Sequence, residues 1–221
     1  MRSFRARWAL LALVALSLAA LAAELDTITD PQIGKLAQQF GPTAKTRLSD
    51  GRTLVTTPKN KALQQEREKL ELVNDFMNRT PFVADAQHWG KEDYWATPVE
   101  FLSTHGGDCE DFSIAKYFAL RSLGVPDEKL RITYVKEIVV YNEAHMVLAY
   151  FPAPDAEPLV LDNINKTIRP ASTRTDLVPV YSFNGTGLWL AKDQTGRGQS
   201  VGGSDRIGHW KDVQARLKAA Q

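Results

Sequence analysis

The alternation of apolar and charged positions between Lys59 and Arg79 predicts an amphipathic helix. Its apolar residues recur at helical spacing along an otherwise charged segment: Leu63, Leu70, Val73 and Met77. Such spacing buries one stripe of the helix and leaves the charged run QQEREK on the solvated face. The residues before it, 24–60, are rich in turn-forming pairs such as Gly41-Pro42 and Asp50-Gly51, so we expect loops there with one short helix around Gln32 to Phe40.

Two more helices are predicted on either side of the glycine pair Gly106-Gly107. Thr97 followed by Pro98 is typical of a helix start, with threonine as N-cap and proline at the first helical position. The second helix runs from Cys109 to Leu123 and is stopped by Gly124. Its apolar residues cover more than one face, which predicts a buried central helix.

After the central helix, the apolar spacing shifts towards the period of two that is typical of strands. Polar breaks separate three such runs, which are Arg131 to Tyr141, Ala144 to Phe151 and Pro158 to Leu161. Val178 to Phe183 and Gly187 to Ala191 could add two strands. The pattern predicts an α+β fold in which the central helix packs on an antiparallel sheet.

The end of the chain predicts a glycine-rich loop at residues 196–203 and a short helix that ends with residues 211–221. No internal repeat or second domain boundary is visible in the sequence. We therefore expect one domain.

The N-terminus has the layout of a secretory signal peptide. Arg2, Arg5 and Arg7 precede an uncharged run, and Ala20-Leu21-Ala22 fits the A-x-A cleavage pattern. The run is shorter than the ~20 apolar residues that span a bilayer, although an uncleaved anchor is the alternative. We expect a signal peptide over residues 1–23 and a mature, periplasmic domain over residues 24–221.

Charge narrows the range of partners. The full chain has 27 basic and 26 acidic residues, and removal of the leader takes away three arginines. The signs are interspersed without a basic stripe, so the sequence does not predict nucleic-acid binding.

The single cysteine, Cys109, cannot form an internal disulfide. Exported proteins usually pair their cysteines, so an unpaired thiol in that compartment requires an explanation. One explanation is a buried cysteine that packs as a small apolar residue. The other is a nucleophile, because a helix N-terminus lowers the pKa of a thiol and its N–H groups can form an oxyanion hole.

The sequence around Cys109 favours the nucleophile. Asp108 is placed to cap the helix, while Gly106 and Gly107 would leave room for a substrate backbone. A base is needed within hydrogen-bond reach, and His145, which opens an apolar strand, is the best of the four histidines. Asp162 directly follows a neighbouring strand and could orient the imidazole, although a strand-end turn residue is an equal alternative.

These segments carry a family resemblance. The ordered set GGDCEDF, EAHMVLAY and PLVLDN resembles the papain and transglutaminase-like core, in which a helix carries cysteine and strands carry histidine and aspartate. More closely, YWATPVEFL followed by GGDCEDFSIAKYFALRSLG resembles the bacterial transglutaminase-like cysteine proteases, the LapG-type periplasmic enzymes that cleave large surface adhesins. The resemblance covers nearly the whole chain after the leader.

The resemblance implies a calcium-dependent cysteine endopeptidase with Cys109, His145 and Asp162 as its triad. Its substrate would be the N-terminal region of a large, repeat-rich adhesin, whose release promotes biofilm dispersal. Its inhibitor would be the periplasmic domain of an inner-membrane receptor that senses cyclic di-GMP.

Three acidic residues around the nucleophile, Asp108, Glu110 and Asp111, agree with calcium binding, since Ca²⁺ prefers several carboxylate and carbonyl oxygens. Asp108 and Glu110 are favoured as ligands. Acidic residues in the first turn of a helix are also expected without any metal.

Two other functions remain open from the sequence. A transglutaminase or amidase could use the same triad, because only the acyl acceptor differs. A binding protein could keep the fold without activity, although both Cys109 and His145 are present.

Overall fold

The computed structural model describes residues 24–191, 193 and 198–219. The predicted signal peptide lies outside the described residues, so the division into residues 1–23 and 24–221 stays a prediction. Within the described ranges, no helix has both the length and the apolar character needed to cross a bilayer.

Helices make up most of the first half of the described chain. Their bounds are Asp30–Phe40 (α1), Pro42–Thr56 (α2), Pro58–Lys61 (α3), Glu66–Met77 (α4), Asp85–His88 (α5), Pro98–Thr104 (α6) and Cys109–Ser122 (α7), with Gly208–Lys218 (α8) near the C-terminus.

The strands form one sheet in the order β4-β3-β2-β1-β5-β6-β7. Their bounds are Leu130–Glu137 (β1), Ala144–Tyr150 (β2), Leu159–Leu161 (β3), Arg169–Pro170 (β4), Leu177–Phe183 (β5), Gly187–Ala191 (β6) and Gly198–Gly203 (β7). Every pair of neighbouring strands is antiparallel, which confirms the predicted sheet and the α+β class.

Helix α7 is the central helix that the sequence predicts. Ile114 and Leu120 are fully buried, and the helix packs mainly against β2 of the sheet. Helix α8 closes the other side of the core, where Trp210 is 0% exposed and contacts the rings of Phe118 and Phe183. The main core therefore lies between one face of the sheet and the helices packed around α7, including α1, α2, α4, α6 and α8.

The helix predicted around Gln32 to Phe40 is confirmed as α1, but the prediction of loops over the rest of residues 24–60 is wrong, because α2 and α3 fill most of it. Gly41, at a φ of 93°, ends α1, and Pro42 then begins α2. The Asp50-Gly51 pair lies inside α2 instead of in a turn. A Cβ at Gly51 would lie 2.5 Å from Leu102 Cδ1, so this glycine allows α2 to pack closely on α6.

The helix expected between Lys59 and Arg79 is shorter than its apolar pattern indicates. Only α4 carries the buried stripe, at Leu70, Val73 and Met77, and Leu63 precedes it. The start at Thr97-Pro98 is confirmed. Thr97 N donates to Glu100 Oε2 at 2.7 Å, and Glu100 N donates to Thr97 Oγ1 at 3.3 Å.

Two strand boundaries differ from the prediction. β1 ends at Glu137 rather than Tyr141, because the backbone N–H groups of the following residues turn to the Glu137 carboxylate. The predicted glycine-rich loop contains β7, which pairs with β6. A Cβ at Gly198 would lie 1.8 Å from the carbonyl oxygen of Leu190, so glycine permits this pairing.

Candidate active site

Cys109 is the first residue of α7, and Asp108 occupies the predicted N-cap position. The start of the helix is fixed by Asp111, whose Oδ2 accepts from Asp108 N at 3.3 Å. The other oxygen of Asp111 accepts from Ala96 N at 2.6 Å, which ties α7 to the segment before α6. The thiol is therefore held at a helix N-terminus by a buried carboxylate.

The glycine pair before Cys109 has a different role from the predicted one. A Cβ at Gly107 would lie 2.5 Å from Asp111 Oδ2, and a Cβ at Gly106 would lie 2.9 Å from the His88 ring. The space that these glycines leave is therefore filled by side chains of the protein. They allow the loop before Cys109 to pack closely against His88 and Asp111.

His145 and Asp162 meet across neighbouring strands. His145 lies near the start of β2, and Asp162 follows β3 directly. His145 Nε2 lies 2.9 Å from Asp162 Oδ1, and both side chains are buried. This contact leaves the imidazole Nδ1 as the ring nitrogen available to another group.

The Asp162 carboxylate is held from several sides. Arg174 Nη2 donates to Oδ2 at 2.7 Å, and Ile164 N donates to Oδ1 at 3.0 Å. Burial by itself would raise the pKa of Asp162, but the hydrogen bond from His145, together with those from Ile164 and Arg174, holds it well below the usual value. Asp162 is therefore ionised beside the imidazole.

The main chain of Asp162 is fixed as well. Its carbonyl oxygen accepts from Asn78 Nδ2 at 2.9 Å and from Lys116 Nζ at 3.0 Å. Sequence reasoning did not single out Asn78, Lys116 or Arg174. Lys116 and Asn78 lie within predicted helices and Arg174 in a short connection, and none of them belongs to a recognisable motif.

Cys109 and His145 line the same cavity, of about 550 Å³. Burial raises the pKa of the Cys109 thiol, and the nearby backbone N–H of Met146, the residue after His145, acts in the opposite direction. The start of β2 therefore lies against the start of α7. The other lining residues are Phe82, Glu137, Tyr141, Glu143, Ala144, Asn163 and Ile164.

The surroundings of the sulfur oppose its ionisation. Burial, followed by the charge of Glu110, raises the pKa of the Cys109 thiol well above its usual value. Cys109 Sγ lies 3.1 Å from Glu110 Oε2 and donates to it. The nucleophile therefore lies beside negative charge that would have to be offset.

The three predicted metal ligands lie in a larger carboxylate cluster. One oxygen from each of Asp85, Asp108 and Asp111 lies within 4.8 Å of the other two, and the same holds for Asp85, Asp93 and Glu110. Asp85 belongs to both groups, and neither Asp85 nor Asp93 was found from the sequence. They lie well before Cys109 in the sequence, outside the helix that it begins, and form no motif with it.

Two oxygens of this cluster lack partners. Asp85 Oδ1 and Asp108 Oδ1 are buried and accept no hydrogen bond within the described part of the chain. Burial raises the pKa of Asp85 to about 6, while burial and the neighbouring Asp108 raise that of Glu110 to about 8. Orphaned carboxylate oxygens that repel one another are the donor set that a hard divalent cation would satisfy.

The arrangement combines a thiol at a helix N-terminus, an imidazole oriented by a buried carboxylate and a cavity open to both. These groups can carry out acyl transfer through a thioester, with the imidazole as proton carrier. The catalytic roles of Cys109, His145 and Asp162 stay a prediction that this geometry supports.

Comparisons with known proteins agree with the site. The family model of the bacterial transglutaminase-like cysteine proteinases matches residues 47–195. No curated protein matches the chain. LapG from Legionella pneumophila, in its EGTA-treated structure, is 42% identical in sequence to this chain, with a TM-score of 0.72. The match covers 85% of this chain and 96% of the Legionella chain.

The calcium-bound structure of Legionella pneumophila LapG is also 42% identical, with a TM-score of 0.70, over 85% of this chain and 98% of that one. The family match spans more than half of the sequence and includes the whole of α7, β1, β2 and β3. This chain therefore belongs to the bacterial transglutaminase-like cysteine proteinases, and it is a cysteine protease.

Proposed function

We propose that this protein is a calcium-dependent periplasmic endopeptidase with Cys109, His145 and Asp162 as its catalytic triad. The observation that carries the proposal is the shared cavity, which Cys109 lines from the start of α7 and His145 from the start of β2. The 2.9 Å contact between His145 Nε2 and Asp162 fixes the ring so that Nδ1 is free for the thiol. Membership in a cysteine proteinase family supports hydrolysis over amine transfer.

In this mechanism the thiol proton of Cys109 moves to Nδ1 of His145, and the sulfur attacks the scissile carbonyl carbon. The tetrahedral intermediate collapses with loss of the amine, which takes the proton back from His145. A water molecule, deprotonated by the same imidazole, then hydrolyses the thioester and regenerates Cys109. Asp162 stays ionised throughout and stabilises the imidazolium.

The proposed calcium ligands are Asp108 and Glu110, as the sequence predicts, with Asp85 and Asp93 added and Asp111 at the base of the cluster. The unpartnered oxygens of Asp85 and Asp108 support this assignment, and so does the calcium-bound state of the related Legionella protein. A bound cation would offset the carboxylate charge beside the thiol and fix the turn that carries it. Asp111 already accepts two backbone N–H groups, so we assign it a mainly structural part.

The proposed substrate is the N-terminal region of a large, repeat-rich surface adhesin, and its cleavage would release the adhesin and promote biofilm dispersal. The proposed inhibitor is the periplasmic domain of an inner-membrane receptor for cyclic di-GMP. Both rest on the family resemblance. The leader-like residues 1–23 support export to the periplasm.

Incubation with the N-terminal region of the largest repeat-rich adhesin encoded in the source genome tests the proposal. Wild-type protein with Ca²⁺ should produce one discrete cut, and Cys109→Ala of matched melting temperature should produce none. An uncut substrate would refute the adhesin assignment. Cleavage by Cys109→Ala would refute the cysteine mechanism.

The receptor is tested separately by adding its periplasmic domain to the same reaction. We expect it to bind the mature protein and to slow cleavage in proportion to its concentration. Unchanged cleavage at saturating receptor domain would contradict this part of the proposal.

A further inference from the structure

The connection between β1 and β2, residues 138–143, carries an unusual run of exposed apolar side chains. Ile138, Val139, Val140 and Tyr141 are 44%, 70%, 63% and 61% exposed. Contiguous exposed apolar residues on a single chain are characteristic of a surface that binds something. Tyr141 also lines the cavity that contains Cys109 and His145, so this run continues directly into the catalytic site.

The loop is held in one shape by the carboxylate of Glu137. Its Oε1 accepts from Val139 N at 2.8 Å and from Val140 N at 2.9 Å, and its Oε2 accepts from Tyr141 N at 2.7 Å and from Asn142 N at 3.3 Å. Four successive backbone N–H groups therefore converge on one side chain. The loop encloses that side chain so completely that Glu137 is 2% exposed.

The base of the loop is closed by the main chain, where Glu137 N donates to Glu143 O at 2.9 Å. Hydrogen bonds from the Tyr141 and other loop N–H groups lower the pKa of Glu137 to about 2. The carboxylate thus stays charged at any pH at which the enzyme would work. Its hydrogen bonds to the four loop N–H groups therefore persist. Asn142 adopts a φ of 53°, a left-handed conformation that asparagine tolerates and that completes the turn.

We propose that Glu137 is a positioning residue that holds residues 138–143 as a preformed wall of the substrate cleft, against which an extended, apolar stretch of the peptide substrate packs. This inference rests on the proposed peptidase function and adds the substrate class. The continuity of the loop with the Cys109 cavity favours the substrate as its occupant. Phe82 and Ile164, exposed at 59% and 38%, extend the apolar lining across the cavity.

A preformed wall matters because ordering a loop when substrate binds would consume part of the binding energy. The wall contacts the substrate equally before and during the reaction. Its loss should therefore raise KM and leave kcat nearly unchanged. A residue that instead acted through His145, which follows the loop, would lower kcat.

The first test uses a synthetic peptide that spans the cut mapped in the adhesin. Glu137→Ala should raise KM about tenfold with kcat near wild type, since freeing even one loop residue costs that factor. Glu137→Gln, which keeps one acceptor oxygen, should have a KM between those of wild type and Glu137→Ala. Amide hydrogen exchange of residues 139–142 should be slow in wild type and fast in Glu137→Ala.

The matched control is Glu157→Ala, which removes a carboxylate that accepts a backbone N–H, from Ser172, outside the catalytic cavity. It should leave KM unchanged. Alkylation of Cys109 by iodoacetamide should proceed at the wild-type rate in Glu137→Ala, because the thiol itself is unaltered. Slower alkylation or a fall in kcat would show that Glu137 acts on the triad and would overturn the proposal.

The second test removes an apolar side chain of the loop and leaves the hydrogen bonds to Glu137 in place. Val140→Ser should raise KM for the same peptide several-fold, by the loss of one buried apolar contact. If wild type cleaves the peptide and both Val140→Ser and Glu137→Ala keep the wild-type KM, the wall serves another partner and the inference is wrong. If wild type fails to cleave any adhesin fragment, the proposed substrate itself is wrong. Hydrogen-exchange protection of amides 139–142 then tests by itself whether Glu137 holds the loop.

Discussion

The ammonium group of Lys116 lies 3.0 Å from the main-chain carbonyl oxygen of Asp162, and Lys116 is only 1% exposed. The α7 helix thereby contacts the end of β3 through an amino group that is buried from solvent. Burial is the largest influence on this lysine and lowers its pKa to about 7, despite the opposing charge of Asp162.

The first prediction is a pH-dependent contribution of Lys116 to stability. An unfolded lysine titrates near pH ~10.4, so between about pH 7 and that value the folded state binds fewer protons than the unfolded state. The free energy of unfolding of wild type should rise relative to Lys116→Met across this window, by at least ~1 kcal/mol. Below about pH 7 both states are protonated, and the cost of burying the charge is fully present.

Urea unfolding of the two proteins at about pH 6 and about pH 9 measures this difference. Asn78 still donates to the Asp162 carbonyl in Lys116→Met, so the oxygen keeps a partner. Parallel stability profiles for the two proteins would contradict the prediction.

The second prediction concerns the order of severity among triad variants. Cys109→Ala should abolish cleavage, and His145→Ala should be nearly as severe. Asp162→Asn should lower kcat by roughly 10²- to 10⁴-fold and retain slightly more activity than the other two variants. The nucleophile and the base remain, but the imidazole of His145 is held in the wrong tautomer. Single-turnover kinetics with matched melting curves give the ranking, and wild-type rates in Asp162→Asn would remove it from the triad.

The third prediction concerns Arg174, which joins Asp162 and Asp176. Arg174→Met should destabilise the fold by about 3–5 kcal/mol, because the Asp162 charge stays buried after losing one partner. Asp176→Asn is the control, since Asp176 is 29% exposed in its side chain and should cost no more than about 1 kcal/mol. Equal effects of the two substitutions in chemical unfolding would mean that Arg174 does not act through Asp162.

The fourth prediction concerns calcium and the ligands that the sequence did not reveal. A chelator should stop cleavage reversibly and lower the melting temperature, and Ca²⁺ should restore both better than Mg²⁺, which demands a tighter octahedral shell. Glu110→Ala and Asp108→Ala should mimic the chelator, although the second also loses a helix cap at ~1 kcal/mol.

Asp85→Asn tests the extended cluster, because the amide oxygen can still accept from Tyr94 N while the charge is lost. Calorimetric titration should show Ca²⁺ binding weakened by at least about tenfold. Asp75→Asn, on the exposed face of α4, should bind Ca²⁺ like wild type. Wild-type affinity in Asp85→Asn would exclude it as a ligand.

The parts of the fold that the sequence predicted are those in which local pattern and burial agree. α7 has its cap at Asp108 and its stop at Gly124, and the apolar runs that predict β1, β2 and β3 are largely buried in the sheet. The sequence itself shows the order of the three segments, in which a helix that begins with cysteine is followed by a strand with histidine and a strand that leads to aspartate. Their geometry follows once β2 and β3 pair side by side.

The end of β1 is set locally by the Glu137 carboxylate, but most of the other errors have a common physical origin, which is long-range contact. The Asp50-Gly51 pair predicts a turn, because the contact with Leu102 that accounts for a glycine inside α2 comes from a distant helix. The glycines around Gly198 predict a loop, because its strand partner Ala191 is not visible in the local sequence. Arg174 and Asp85 carry no local signal, since each acquires its role only when the fold brings it to Asp162 or to the carboxylate cluster.

Trp210 of α8 contacts Phe118, a residue of the same helix that Cys109 begins. Because chains are synthesised from the N-terminus onwards, α8 is among the last segments to become available for packing. Until then one flank of α7 has no covering layer, and the domain cannot complete its tertiary packing. Cys109 therefore acquires its final surroundings only after the C-terminal helix has been made and has packed on α7.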